Sequence, residues 1–483
     1  THHQTSWVCG EVDVRFLLFR NWVSRTLVLM VLSSNLSFAA GDREWSEAME
    51  AGNRLYRLGQ LGASEKKYLE ALKSAESFAE NDGRLASTLS GLGVAYGAQG
   101  KYAEAEAVTL KAIAVREKAS GSLHPDLAND LANLAMIYCR QRQKLAEAEA
   151  LSLRSLAILE KAFGPESAVV ARSLNNLAGL YEMQARYRDA ERTYLQALAI
   201  LEKAKQTEEA EFAKTLANFA ALQQLMGNYR AAEQLYDRVV PLFEKLFGPE
   251  HEQTALARNN LADVYLRLGQ PQKAEPLFRR VLAVWQASYG LSHPDVALAL
   301  NNLGNACYEQ GRYEEAGKLF ERALAIRQAT LGASHQDVAG TLNNLAVVRQ
   351  SQRNYSEAEQ LLRRALAIEE KTLGPAHPLV ARTLNNLAEA MRMQKQPVML
   401  EPLYQRALAI RERALGPDHP AVAASLSALA GLYTDSGEHK RAEKLYRRAL
   451  QILQKTFQQE HPDVARMLQN LAVSAFMRKR YAD

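Results

Sequence analysis

The sequence predicts an all-α chain, a solenoid of antiparallel helix pairs, and three observations predict it. His251, His293, His335, His377, His419 and His461 each stand 42 residues apart, and the same step relates Asn176, Asn218, Asn260, Asn302, Asn344 and Asn386. A period of this size means a solenoid or a propeller. Within a period, Leu174, Leu177, Ala178 and Tyr181 follow helical spacing, and Ala190, Tyr194 and Ala197 do so again further on, which gives two helices per unit. Only 26 Gly and 14 Pro punctuate 483 residues, so long helices with placed breaks are favoured over many short strands. A single hydrophobic core stops growing at about 250–300 residues, a limit that a repeat array escapes.

The first element is an apolar run from Thr26 to Ala40 that follows Arg15, Arg20 and Arg25. It is dense only from Leu27 to Leu32, too short for the span of about 20 apolar residues that a bilayer core requires. A basic region, a short apolar region and then Ser37-Phe38-Ala39 form the layout of a secretory signal. Residues 1–39 are therefore expected to be a leader cleaved after Ala39, giving a periplasmic or extracellular product without a stable membrane span. The alternative is a hydrophobic appendage on a cytoplasmic protein. Residues 40–80 are expected to form a degenerate, polar capping repeat, as the end of a stack requires. Residues 81–483 then hold the tandem repeats, nine full ones and the first helix of another.

Inside a repeat, Gln310-Gly311-Arg312-Tyr313 is the turn between the two helices, with Gly supplying the conformation and Tyr docking back on the pair. Leu415-Gly416-Pro417-Asp418-His419-Pro420 is the junction to the next repeat. There Gly416 can stop one helix in the left-handed conformation, and Pro420 can open the next where no amide is missed. His419 stands at the cap, and acids such as Asp295 and Asp463 suit the positive end of the helix dipole. Three departures stand out. The turn Arg142-Gln143-Lys144 carries one extra residue, repeat five opens with Thr207-Glu208-Glu209-Ala210, and repeat ten has Ser427-Ala428 in place of the Asn pair.

Leu-Asn-Asn-Leu-Ala, then Gly-x-Tyr-x-x-Ala-Glu, then Arg-Ala-Leu-Ala-Ile resembles the tetratricopeptide repeat. The 42-residue unit with its Leu-Gly-Pro-x-His-Pro junction is similar to the kinesin light chain subclass, in a bacterial setting, and the likeness runs from about Trp45 to Asp483. The resemblance implies a right-handed superhelix whose first helices line a concave, peptide-binding groove. No long heptad region precedes the repeats, so the motor-associated role is not implied.

Lys plus Arg at 59 against Asp plus Glu at 54 leaves +5, too slight an excess for nucleic acid or an anionic membrane to be expected as partner. Zinc ligands must lie about 2 Å from one ion, whereas packed repeats hold successive histidines about 10 Å apart, so capping and not metal binding is expected of them. Cys139 and Cys307 are four repeats apart, beyond the reach of about 7 Å between Cα atoms that a disulfide allows. Gly91-Leu92-Gly93 misses the dinucleotide spacing, and His251-Glu252 lacks a zincin's second histidine. No nucleophile, acid–base pair, metal or cofactor is expected, and the chain reads as non-catalytic.

The Asn positions carry the functional expectation, because Asn inside a helix costs up to about 0.7 kcal/mol relative to Ala. With Leu174 at zero and about 100° per residue, the second Asn of each pair points away from the hairpin core while the first points toward a neighbouring repeat. The expected partner-binding groove is Asn133, Arg140, Arg172, Asn176, Lys214, Asn218, Asn260, Arg267, Asn302, Asn344, Arg382 and Asn386. Its carboxamides would hold an extended backbone, unless the adjacent repeat satisfies them. Repeats three to five place Arg140, Arg172 and Lys214 on this stripe with no acid, and Glu182 on its flank. Repeats six to ten mix Arg267 and Arg382 with Asp263, Glu309, Glu389 and Asp435. The expected function is a protein-interaction scaffold whose partner is acidic at repeats three to five. The alternative is the sensing arm of a larger effector enzyme, such as a caspase-like protease, with its catalytic domain beyond Asp483.

Overall fold

The computed structural model describes residues 40–79, 82–141, 144–207, 209–395, 400–456 and 462–480. These are helices joined by short turns, with no strand among the described residues. The leader with its expected cleavage point, His461 and part of the 43-residue turn lie outside the described residues. The helices divide into two compact units, one through Met226 and one from Gly227.

The N-terminal unit comprises α1 (Ala40–Arg57), α2 (Leu61–Ala75), α3 (Gly83–Ala98), α4 (Tyr102–Ser120), α5 (Pro125–Gln141), α6 (Leu145–Phe163), α7 (Ala168–Met183), α8 (Tyr187–Lys203) and α9 (Ala210–Leu225). The C-terminal unit comprises α10 (Tyr229–Phe247), α11 (Glu252–Arg267), α12 (Pro271–Tyr289), α13 (Pro294–Glu309), α14 (Tyr313–Leu331), α15 (Gln336–Ser351), α16 (Tyr355–Leu373), α17 (Pro378–Met393), α18 (Leu400–Leu415), α19 (Pro420–Asp435), α20 (His439–Thr456) and α21 (Pro462–Arg480). Within each unit, an odd-numbered first helix pairs with the even-numbered second helix that follows it in the same unit. The second helix of one pair then packs on the first helix of the next, as a solenoid requires.

The junctions show why the histidines recur. Gly416 takes φ 87° and its N–H bonds to the Glu412 carbonyl at 3.1 Å, ending α18. His419 is then the N-cap of α19, and its Nδ1 accepts the Ala421 N–H at 3.1 Å. His293, His335 and His377 accept from the second residue on at 3.2 Å, and His251 at 3.1 Å. An imidazole nitrogen thus does the work usually given to a Ser or Asp oxygen. The acceptance fixes the proton on Nε2. The ring also stacks on an aromatic four residues earlier, Tyr289 on His293 at 4.5 Å and Phe247 on His251 at 5.1 Å between centroids. Repeat five lacks the motif, and Glu209 caps α9 without a side-chain bond. Between paired helices Gly311 sits at φ 77°; where glycine is missing, Arg353 is held at φ 64°, at a cost of about 1 kcal/mol.

At one register of the second helix, where some hairpins have Thr109, Ser152 or Leu362, several carry a large buried ring, Tyr194, Tyr236, Phe278, Phe320 and Tyr404. A small residue lies across from it. A Cβ on Gly304 would meet the Phe320 ring at 2.8 Å. Repeat three has Ser152 at this register, and there a cavity of about 20 Å³ opens among Ala132, Ala135, Met136, Cys139, Ser173 and Asn176. It has room for a single water.

Candidate functional site

The paired asparagines form a directed ladder between stacked first helices. In the C-terminal unit Asn302 Nδ2 donates to Asn259 Oδ1 at 2.9 Å, Asn344 to Asn301 at 3.1 Å, and Asn386 to Asn343 at 3.1 Å. In the N-terminal unit Asn218 donates to Asn175 at 3.0 Å, and Asn133 to Ser90 Oγ at 3.2 Å. Every rung joins the second position of one repeat to the first position of the repeat before it, an offset of 43 residues. Asn133, Asn302, Asn344 and Asn386 are buried. The expectation that the second Asn faces an open groove is therefore corrected for these four. The first-helix stack closes over them, and a buried carboxamide without a partner costs about 1–3 kcal/mol, so the neighbouring repeat supplies one.

The ladder is interrupted where its acceptor is missing. The first position of the repeat before Asn176, 44 residues upstream because repeat three is one residue longer, is Ala132. Asn176 stays half-buried, its Oδ1 accepts from Asn175 at 3.5 Å, and its Nδ2 finds no acceptor among the described residues. Asn260 is likewise half-buried and accepts from Asn259 at 3.3 Å. At the far end Ala428 removes the next donor, and Asn385 turns to Ser425 Oγ at 2.9 Å.

The charged positions divide in the same way. Arg140, Arg172 and Lys214 in the N-terminal unit are half-buried. Arg140 reaches the Gly97 carbonyl at 3.0 Å, and burial draws its guanidinium below the ordinary value. The acid-free stripe expected in repeats three to five is corrected by Glu211. Burial raises its carboxyl while Arg172 and Lys214 pull it down. Its place three residues before Lys214 puts it on the same helical face, a spacing legible in the sequence. Glu182 is half-buried with Oε1 buried and unpaired. Desolvation lifts its carboxyl to about 7, against a hydrogen bond from Tyr194. Burial thus raises the carboxyls of both acids of this face.

In the C-terminal unit the cations are engaged internally. Arg267 lies 3.6 Å from Asp263. Arg392 forks onto Glu389 at 2.9 and 2.7 Å and also pairs with Asp435, while Tyr404 donates to Glu389 at 3.1 Å. Arg382, expected on the open stripe, is 8% exposed and faces Glu369 at 3.8 Å, itself 1% exposed. The correction has a plain cause: burial raises the Glu369 carboxyl, and Arg382 is the cation that opposes it.

Among the described residues no cluster of His, Cys, Asp or Glu could hold a metal ion, and no helix is long and apolar enough to cross a membrane. Burial pushes the Cys139 thiol up to about 12 and Cys307 up to about 11, so neither is poised as a nucleophile.

The tetratricopeptide repeat family model matches residues 84–143, 126–203, 211–287, 259–329, 295–371, 337–398 and 400–455. No curated protein matches the sequence. Among solved structures, a Podosopora anserina kinesin light chain candidate with nearly identical repeats of this type is 29% identical over 43% of this chain and 99% of its own, with a TM-score of 0.35. The apo form of RapI is 15% identical, covering 77% of this chain and 98% of its own, with a TM-score of 0.56. The apo quorum sensor NprR from B. thuringiensis is 13% identical, covering 85% and 98%, with a TM-score of 0.55. The last two establish likeness of fold.

Proposed function

From the premise that this chain belongs to the tetratricopeptide repeat family, we propose that it is a non-catalytic scaffold that binds an extended, acidic segment of another protein along the first helices of repeats three to five. The observation that carries this reading is the interruption at Asn176. There a carboxamide is released from the ladder in repeats four and five, which carry Arg172 and Lys214, while burial raises the carboxyls of Glu182 and Glu211. A carboxamide donor can take a peptide carbonyl, and the flanking cations can take carboxylates. The C-terminal unit supports the assignment by contrast, since Asn302, Asn344 and Asn386 and the arginines Arg382 and Arg392 are engaged within the fold, although Asn260 stands outside the ladder as Asn176 does.

The test uses an array of extended decapeptides of graded Asp and Glu content with the full chain. Retention should rise with acidic content and fall as salt is added. For the best-retained peptide, Arg172→Glu with Lys214→Glu should weaken binding by more than about tenfold, roughly 1.4 kcal/mol, with helicity intact. Equal affinity in the double variant would place the binding surface elsewhere.

A further inference from the structure

We propose that the outer ridges of α4 and α6, on the side of the hairpins away from the first helices, form a surface on which a second copy of this chain docks about a two-fold axis. The ridge of α4 exposes Ala103, Ala107, Leu110 and Ala114, and that of α6 exposes Ala146, Ala150, Leu153 and Ala157. Leu110 and Leu153 are 46% and 44% exposed. The steps of four, three and four residues are those of an a/d seam, which meets a partner helix along one line. A single exposed leucine on a monomer is ordinary; two adjacent helices carrying the same apolar seam are not.

The treatment of this ridge elsewhere makes the contrast sharper. At the register of Leu110, the C-terminal unit has Arg279, Glu321, Arg363 and Arg447, each in an ion pair, and the polar Asp237 and Gln405. Leu195 continues the leucine row onto α8 at 49% exposure, but Arg188 and Arg192 replace the two alanines before it. The seam is therefore confined to repeats two and three.

The charge flanking the seam selects the occupant. Glu104, Lys111 and Lys118 line one edge of α4, and Glu147, Arg154 and Lys161 line the same edge of α6, all exposed. Each edge is acidic at the helix start and basic toward its end. A two-fold axis between the ridges sets α4 antiparallel to α6 of the second copy, Leu110 opposite the second Leu153. Glu104 then meets the second Lys161 and Glu147 the second Lys118, while Lys111 comes near the second Arg154, which is paired with Glu117 of its own chain at 2.5 Å. A parallel arrangement would set like charges together at all three positions. Alanine at the remaining seam positions lets the axes approach to about 8 Å, and the two-fold closes the assembly at a dimer.

The full chain should sediment as a dimer from micromolar concentrations upward. Leu110→Glu with Leu153→Glu should weaken association at least about a hundredfold with an unchanged helical spectrum, since both sites are exposed. Glu147→Lys should also weaken it, and adding Lys118→Glu should restore it. A wild-type chain that stays monomeric to near-millimolar concentration overturns the proposal. So does a dimer that survives both glutamates, or one that the paired charge exchange fails to restore.

Discussion

Replacing Glu182 by Gln should make the α7–α8 hairpin more resistant to opening at pH 8 and leave it nearly unchanged at pH 4. The carboxyl ionises near 7 in the fold because burial opposes its charge, against 4.5 in an unperturbed chain. Between these values the folded state binds more protons than the unfolded state, so stability falls as pH rises. The contribution is fully present below pH 4.5 and fully lost above about 7. The interval corresponds to about 3 kcal/mol for a full transfer, an upper figure because Glu182 is half-buried and water relaxes part of the penalty. Gln keeps an oxygen that can accept the Tyr194 hydroxyl and carries no titrating proton. Hydrogen exchange suits the question, since a solenoid opens locally. Exchange of α7 and α8 amides, corrected for the intrinsic pH dependence, should show wild-type protection falling relative to Gln by about 1–3 kcal/mol between pH 4 and pH 8. A difference between the two proteins that is flat across that range would refute the reasoning, and would mean that Glu182 titrates as an exposed carboxylate.

The ladder predicts a coupling energy: in a double-mutant cycle of Asn259→Ala and Asn302→Ala, measured by urea denaturation, the pair should couple by about 1 kcal/mol, and additive effects would dissolve the rung. His293→Ala should lower stability by about 0.5–2 kcal/mol through loss of the α13 cap, while Glu209→Ser, which adds a side-chain acceptor where α9 has none, should raise it by about 0.5–1 kcal/mol. Gly304→Ala should destabilise by about 1–3 kcal/mol, because the new methyl would have to displace the Phe320 ring, and thermal denaturation would show it.

The helices, their pairing and their junctions were legible because each is written locally and many times. Gly416, His419 and Pro420 state one stop and one start within five residues, and the structure uses each as such. The Asn stripe was legible in direction but not in surroundings. A helical wheel drawn on one hairpin places Asn302 away from that hairpin's core, yet it contains no neighbouring repeat, and Asn259 arrives from 43 residues upstream. The signal was still in the sequence, as the pairing of Asn at one position with Asn or Ser at the earlier one, and the exceptions Ala132 and Ala217. Glu211 was visible by its spacing from Lys214. The Arg382–Glu369 contact was not, because it joins the end of one helix to the start of the next across a junction whose geometry no periodicity specifies.

The ladder also bears on how such a chain avoids folding into the wrong version of itself. Repeats of near-identical sequence can skip a neighbour and stack on the next, a misassembly with nearly the same hydrophobic energy. The polar rungs make the repeats distinguishable. In the N-terminal unit a chain that slipped by one repeat would set Asn218 against Ala132, leaving its half-buried amide without the Asn175 oxygen it has in the correct stack. In the C-terminal unit the same slip sets Asn344 against Asn259 and Asn386 against Asn301, exchanging one Asn oxygen for another, and goes unpunished until Ala428. Errors of register should therefore concentrate in repeats six to nine, and the alanine that loosens the groove near Asn176 serves in folding as a mark that tells one repeat from the next.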